Sequence, residues 1–485
     1  MIDSITTGLL IAAIVGLSWW RPVIAVMVLG VFLFVQAAIV RVEVLPDQLT
    51  TELARADEIF LAALVVRTAA IWLLRRTPRL PAALWALAAF GVIGVVSALV
   101  NGISPPAAGL GLFLAAKAGL WLFVGLSLPV DVRVLARYGY LIGALFVGVV
   151  VIAALQMIGV PLPWQPYTRA GVTAATSIWN FHTAFGGALS VGVGLSVVAL
   201  RLPSERVGAA VLGISSLIGV ILSTARRLLV SLVVGAVAAV LTLPTEERRH
   251  LRSAVSLVRR PAVLIGLLVI LAVGAITVGP RLVNLAVLTW DRYVVDLGDR
   301  DRYQLYAGAF QLVQESPLVG RGPATYGSFA SVVVDSPAYE EVGYRRPRAS
   351  MVVGGQLASI IAEYGILGFL AFATFVVLLV RELVPISRGS TDTLRAALAT
   401  GGIFMVANMV VESIVNPVFS NSFITFFTFV GIGIAITLQR RLEEDSTFGA
   451  WDPDRFGDRW RTMSIAGAAL ILVILTAAVA VAVSV

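Results

Sequence analysis

The chain is built from repeated apolar runs of about 20 residues, separated by short breaks that carry Pro, Gly and Arg. A helix of that length crosses the hydrocarbon core of a bilayer, and no other feature of the sequence restricts the fold as tightly. Candidate runs lie near 4–20, 22–40, 58–74, 81–100, 107–128, 138–160, 182–200, 208–224, 228–243 and 262–279. Four more lie near 352–380, 396–415, 419–438 and 463–484. With 59% hydrophobic and 13% charged residues in 485, the chain has too little polar surface to dissolve at that size. The expected fold is an all-α polytopic membrane protein with about 12–14 transmembrane helices. An N-terminal bundle over 1–279, an outward loop over 280–351 and a C-terminal bundle over 352–485 are its expected parts. The first run lacks a basic flank and a small-residue cleavage site, so it reads as a span and not as a removed signal.

The charges set the expected sidedness. Arg75, Arg76 and Arg79 share one short break, Arg201 and Arg206 a second, and Arg248, Arg249, Arg252, Arg259 and Arg260 a third. Arg440, Arg441, Arg455, Arg459 and Arg461 fall in the last. Such clusters mark cytoplasmic ends, which puts 41–57, 161–181 and 280–351 on the other side. Lys117 is the sole lysine; arginine with abundant Ala, Val and Gly points to a GC-rich bacterial genome, hence to a bacterial inner membrane. The formal charge of +8 is read as topology plus contact with membrane lipids or phosphate, with no nucleic acid expected. Without cysteine, disulfides, thiolate catalysis and Cys-held metals are excluded.

Stretch 280–351 is too polar to span and too long for an idle connector. Within it, RYQLYAGAFQLVQ at 302–314 places Tyr303, Tyr306, Phe310, Leu312 and Val313 near one helical face. This predicts an amphipathic helix lying on the membrane surface, stopped by Ser316-Pro317 and followed by a turn at 320–323.

Three clusters carry candidate chemistry. Arg226 and Arg227 sit between two apolar runs joined by no real loop. Intramembrane charge is costly and by default functional, and the planar, permanently charged guanidinium suits phosphate. A tight hairpin with snorkelling arginines is the plainer alternative. Around 164–182, Trp164, Tyr167, Arg169, Trp179, Asn180 and His182 gather at the expected outer mouth. They suit a sugar-phosphate site or, more simply, an interfacial aromatic belt. In the large loop, Arg300, Arg302, Arg321, Arg345, Arg346 and Arg348 stand among Asp299, Asp301, Glu340 and Glu341, mostly a solvated mixed-charge surface. Asp299-Arg300-Asp301 is a lone DxD, too weak to assign a metal. Glu363, at the head of an apolar run, is either a cap on the helix dipole or a buried partner of an arginine. Lys117 lies mid-run with no evident partner. No Walker A, GxGxxG, HExxH or GxSxG motif stands in a plausible context.

In this order the segments resemble the O-antigen ligase and polymerase superfamily of bacterial envelope glycosyltransferases. RAG…WNFHTAFGGALS at Arg169–Ser190 is similar to the family's Arg-x-x-Gly…Asn-x-Asn segment, and STARRLLVSLVVG to its Ser-Arg-Gly hairpin with Arg226 in the Arg position. RYQLYAGAFQLVQESPLVGRGPATYGSF at 302–329 resembles the Arg…Pro-hydrophobic-hydrophobic-Gly-x-Gly-Pro element. LASIIAEYGILGFL at 357–370 resembles the Glu-x-Gly entry into the following span. The likeness covers roughly 160–385.

The resemblance implies a GT-C-like membrane glycosyltransferase with no cofactor and no metal. Its donor would be a glycan on a polyprenyl diphosphate, and its acceptor a glycan or glycolipid at the outer face of the membrane. Arg226, Arg169, Glu363 and His182 are the implied catalytic positions. Arg227, Arg302, Arg321, Asn180, Trp179 and Tyr303 are the implied substrate contacts. Arginines would stabilise the departing diphosphate, and Glu363 or His182 would take the acceptor proton. One departure stands out: the family ligases carry a His-Asn pair about nine residues before the Glu, where this chain has Gly354-Gly355. A polymerase-like member, a member with another base and a non-catalytic partner all remain open, as does a flippase for lipid-linked sugars.

Overall fold

The computed structural model describes residues 2–42, 47–75, 80–169, 172–179, 181–245, 247, 300–344, 355–389 and 394–444. Nine helices come first: α1 (Ile2–Trp20), α2 (Pro22–Val42), α3 (Asp47–Arg75), α4 (Ala82–Val100), α5 (Pro105–Ser127), α6 (Val132–Met157), α7 (His182–Leu200), α8 (Arg206–Leu222) and α9 (Arg226–Thr242). The loop contributes α10 (Arg300–Glu315), α11 (Phe329–Val333) and α12 (Ala338–Glu341), and the C-terminal part α13 (Gln356–Arg388), α14 (Leu394–Ser413) and α15 (Ser422–Glu444). A two-stranded hairpin, β1 (Tyr167–Arg169) with β2 (Val172–Ala174), pairs Tyr167 with Ala174. That hairpin departs from the all-α expectation.

Seven of these helices, α4–α7 and α13–α15, are long and apolar enough to cross a membrane. The chain is thus a multi-pass, mostly helical membrane protein. The expected runs near 4–20, 22–40, 208–224 and 228–243 are also apolar helices, α1, α2, α8 and α9. The run at 58–74 is the far half of α3; Asp57 stands just before it and Glu58 opens it. The runs at 262–279 and 463–484, like the DxD residue Asp299, lie outside the described residues.

Small residues let the spans approach closely, as lipid-solvated helices require. At the α5–α15 crossing an added Cβ on Gly125 would sit 2.7 Å from the Val430 carbonyl oxygen and 3.1 Å from Gly433 Cα. An aromatic core of Phe34, Phe146, Phe423 and Phe427 fills the bundle; Phe34 and Phe423 meet edge to face at 4.9 Å. A second, smaller core under the loop joins Leu305, Ala309 and Leu312 of α10 to Tyr326, Tyr339, Ala358 and Ala362.

The two ends of the bundle differ. One, here the loop end, carries residues 101–104, 158–169, 172–179, 223–225, 300–344 and 414–421. The other, the far end, joins α5 to α6 and α7 to α8, and is cross-tied by ions. There Arg201 reaches Glu247 at 2.6 Å and the carbonyls of Ser387 and Ala396, and Arg440 reaches Glu382 at 3.1 Å.

Candidate functional site

The site gathers at the loop end, where α7, α9, α13 and α14 begin or finish. Helix α8 stops at Leu222 and the chain reverses through Ser223-Thr224-Ala225, with Thr224 at φ +55. Arg226 and Arg227 therefore open α9 at its positive dipole end. An added Cβ on Gly186, one turn into α7, would face Ser223, Ala225 and Leu228. His182 thus starts α7 beside this reversal, its ring stacked on Tyr167 at 4.9 Å.

Arg227 does not stand alone. Its Nε lies 3.3 Å from Oε2 of Glu412, which is 2% exposed on α14. The same carboxylate accepts from Ser231 Oγ at 3.3 Å and from Asn416 Nδ2 at 2.9 Å. A buried carboxylate with three partners holds the guanidinium in place and cancels much of its charge. Glu412, an ionisable residue near the end of an apolar run, was open to the same default that singled out the arginines, and the sequence reading missed it. The loop closes on the same helix end: Tyr306 of α10 donates to the Ile414 carbonyl at 2.6 Å, and the Gln356 amide to that of Asn416 at 3.4 Å. Gln356 is buried, and its side-chain oxygen has no hydrogen-bond partner among the described residues.

The segment leading into α7 is held by one residue. Gln156, buried at the end of α6, donates to the carbonyls of Trp164 (2.7 Å) and Ser177 (2.9 Å) and accepts from the amides of Thr176 (3.2 Å) and Ser177 (2.8 Å). All four hydrogen-bonding positions of its amide are used. Trp164 and Trp179 consequently face inward. Trp179 stacks on Phe185 and meets Phe34 and Phe423 edge-on, so it is a core residue and not a stacking surface at the mouth. Asn180 lies outside the described residues, as do the side chains of Arg169, Arg226 and Arg302.

The segments 317–322 and 362–367 interlock. At Gly365 (φ +64, ψ −164) α13 is broken, which frees backbone groups on both sides. The Ile366 and Leu367 amides donate to the carbonyls of Pro317 and Leu318, while the Arg321 and Gly322 amides donate to those of Ala362 and Glu363. Gly320 sits against this break: an added Cβ would be 2.5 Å from the Glu363 carbonyl carbon and 2.6 Å from the Gly365 nitrogen. Ser97 and Asn101 of the α4 end donate to the Gly320 carbonyl at 3.2 and 3.0 Å.

Glu363 completes the interlock. Its carboxylate accepts from Ser328 Oγ at 2.6 Å and the Tyr326 amide at 3.1 Å, with the Ala324 and Thr325 amides also bonded to it. At 1% exposure it is sealed inside the loop attachment, so it anchors a turn and does not face a substrate as a base must. Beside it, burial pushes the Tyr339 phenol up to about 12, against the lowering pull of Ser331 and the Gly327 amide. Burial likewise raises the Tyr326 phenol, whose hydroxyl donates to the Leu305 carbonyl at 3.1 Å. Both rings are neutral structural members.

The remaining expected contacts separate. Arg321 is ion-paired to Glu315 at 3.2 Å and to Glu341, at the edge of the loop. Helix α10 forms as expected, with a buried face that keeps Leu312 and Tyr306 of the expected set but not Tyr303 or Phe310. Leu305, Ala309 and Leu312 pack on α13, while Tyr303 is 77% and Phe310 53% exposed. The helix lies on protein. Lys117 acquires the partners its sequence neighbours do not suggest: Asp57 at 3.3 Å, Glu58 at 3.4 Å and Ser422 Oγ at 2.5 Å.

No family model matches the chain, and no curated protein matches it.

Proposed function

We propose that the chain is a membrane glycosyltransferase of the O-antigen ligase and polymerase type. It would transfer or polymerise glycan from a polyprenyl-diphosphate-linked donor onto a glycan or glycolipid acceptor. The observation that carries this reading is the Arg226–Arg227 start of α9, with Arg227 held by buried Glu412 beneath a docked loop. The loop end is extracytoplasmic on this reading, because Arg133, Arg137, Arg201, Arg206, Arg388 and Arg440 collect at the far end, and arginine concentrates on the cytoplasmic side.

The chemistry follows from charge. The acceptor hydroxyl attacks the anomeric carbon, the bond from that carbon to the diphosphate oxygen breaks, and the lipid diphosphate leaves with the bonding electrons. Negative charge grows on the leaving group, where Arg226 and the positive end of α9 stabilise it. Arg227, already bound to Glu412, fixes the start of the helix. His182 receives the acceptor proton.

Translocation without bond chemistry is the second reading, and the buried Lys117–Asp57–Glu58 cluster favours it, since intramembrane charges also serve transport. One experiment separates the two. The protein in nanodiscs is given polyprenyl-diphosphate-linked glycan and acceptor lipid, and released polyprenyl diphosphate and glycan length are followed by mass spectrometry. We expect release with a longer or transferred glycan, reduced about a hundredfold or more in Arg226→Ala with donor binding kept. Tight binding with no release, across the donors the host makes, would overturn the enzyme reading.

A further inference from the structure

A crevice of about 660 Å³ opens in the far half of the bundle between α6 on one side and α2, α7, α8, α14 and α15 on the others. Val151 and Val211 line it and are 48% and 54% exposed, so it reaches the surface of the bundle. Glycine cuts it. Among the described residues, added Cβ atoms on Gly139 of α6 and Gly431 of α15 would meet nothing within 4 Å, and on Gly143 only Leu212 at 3.9 Å. Its walls are almost wholly aliphatic, with the buried hydroxyls of Tyr138 and Thr428 having no partner among the described residues.

Size and charge decide the occupant. A spanning helix of this chain, such as the run expected at 463–484, is about 30 Å long, longer than any wall of the groove. A slender hydrocarbon chain fits. On α6 the lining reaches further, to Val151, but along α14 it runs from Leu394 to Met405, about 17 Å at the helical rise. That matches one leaflet of a core about 30 Å thick. At its far-end rim Arg133, Arg137 and Arg206 are exposed, on the same helices and within three residues of lining positions Val134, Tyr138 and Gly208. Asp131, also exposed, and buried Glu205, which accepts from Tyr140 at 2.5 Å, are the carboxylates there.

We propose that this crevice is a binding site for one acyl chain of an anionic phospholipid, its headgroup held by Arg133, Arg137 and Arg206. The leaflet assignment rests on the orientation argued under the proposed function; the site itself does not depend on glycosyl transfer. Anionic headgroups at the cytoplasmic surface are attracted by such basic residues, and the glycine-cut groove gives the chain a fixed seat.

The test uses the full chain in nanodiscs of mixed phosphatidylglycerol and phosphatidylcholine, followed by native mass spectrometry after extraction. We expect wild type to retain one phosphatidylglycerol, and the double variant Gly139→Leu/Gly143→Leu to retain about tenfold less. These substitutions enter open space, so the variant folds, which its thermal unfolding confirms. Arg133→Gln/Arg137→Gln/Arg206→Gln keeps a lipid but loses the preference for phosphatidylglycerol. Retention unchanged by the leucines, or no retained lipid in wild type, overturns the site. So does an oxidative cross-link between Gly139→Cys and Ala468→Cys in this cysteine-free chain, which would put the C-terminal run in the groove. Glycosyl transfer is not read, so failure here leaves the proposed function standing.

Discussion

The loop attachment and the far-half crevice both depend on glycine, to opposite effect. At the attachment, Gly320 and Gly365 have positive φ and each excludes a side chain because backbone of the other segment fills the space. At the crevice, Gly139 and Gly431 are helical positions whose side-chain space meets none of the described residues. In the first place glycine permits contact between backbones; in the second it withholds side chains from a groove. The same residue thus marks one of the tightest and one of the loosest regions of the molecule, and only the neighbours distinguish them.

Breaking the tight half gives the largest effect. Gly320→Ala or Gly365→Ala combines a left-handed backbone with a clash against main chain, a loss of about 4 kcal/mol. Rapid proteolysis within 300–344 in nanodiscs, with the spans still helical, is the expected sign of the undocked loop; a loop as resistant as wild type would show that the glycines are not what join it.

A smaller loss tests whether the carboxylate belongs to the same device. Glu363→Gln replaces an acceptor by a group with two donors facing Ser328 and three amides, at about 2 kcal/mol. Thermal unfolding should fall, and the double variant with Gly320→Ala should lose less than the sum, because both act on one contact. Full additivity would separate them.

The loose half gives the smallest change, with opposite sign. Gly139→Ala and Gly431→Ala should each raise stability by about 0.5–1 kcal/mol, since alanine is the better helix former and meets no neighbour. A drop in the unfolding temperature would mean that the space at these helices is filled.

The bundle was legible in the sequence because a span is a local property: some 20 apolar residues declare themselves wherever they stand. The partners were not. Lys117 meets Asp57 and Glu58 across helices, and Arg227 meets Glu412, at sequence separations that periodicity does not connect. Helix α10 was legible as a helix, and Leu312 and Tyr306 as part of its buried face, but burial against α13 selected Leu305 and Ala309 in place of the larger Tyr303 and Phe310. Glu363 shows another limit. A carboxylate at a helix start reads alike as base, cap or ion-pair partner, and only the turn wrapped around it chooses.

The break in α13 has a mechanical consequence. From Gly365 to Arg388 the helix is a stiff rod, gripped at one end by the backbone of residues 317–322 and at the other by Arg440 on Glu382 and Arg201 on the Ser387 carbonyl. The loop is therefore a handle on that rod. A push that tilts the handle is delivered, with little slack, to the charged ties on the opposite face of the membrane.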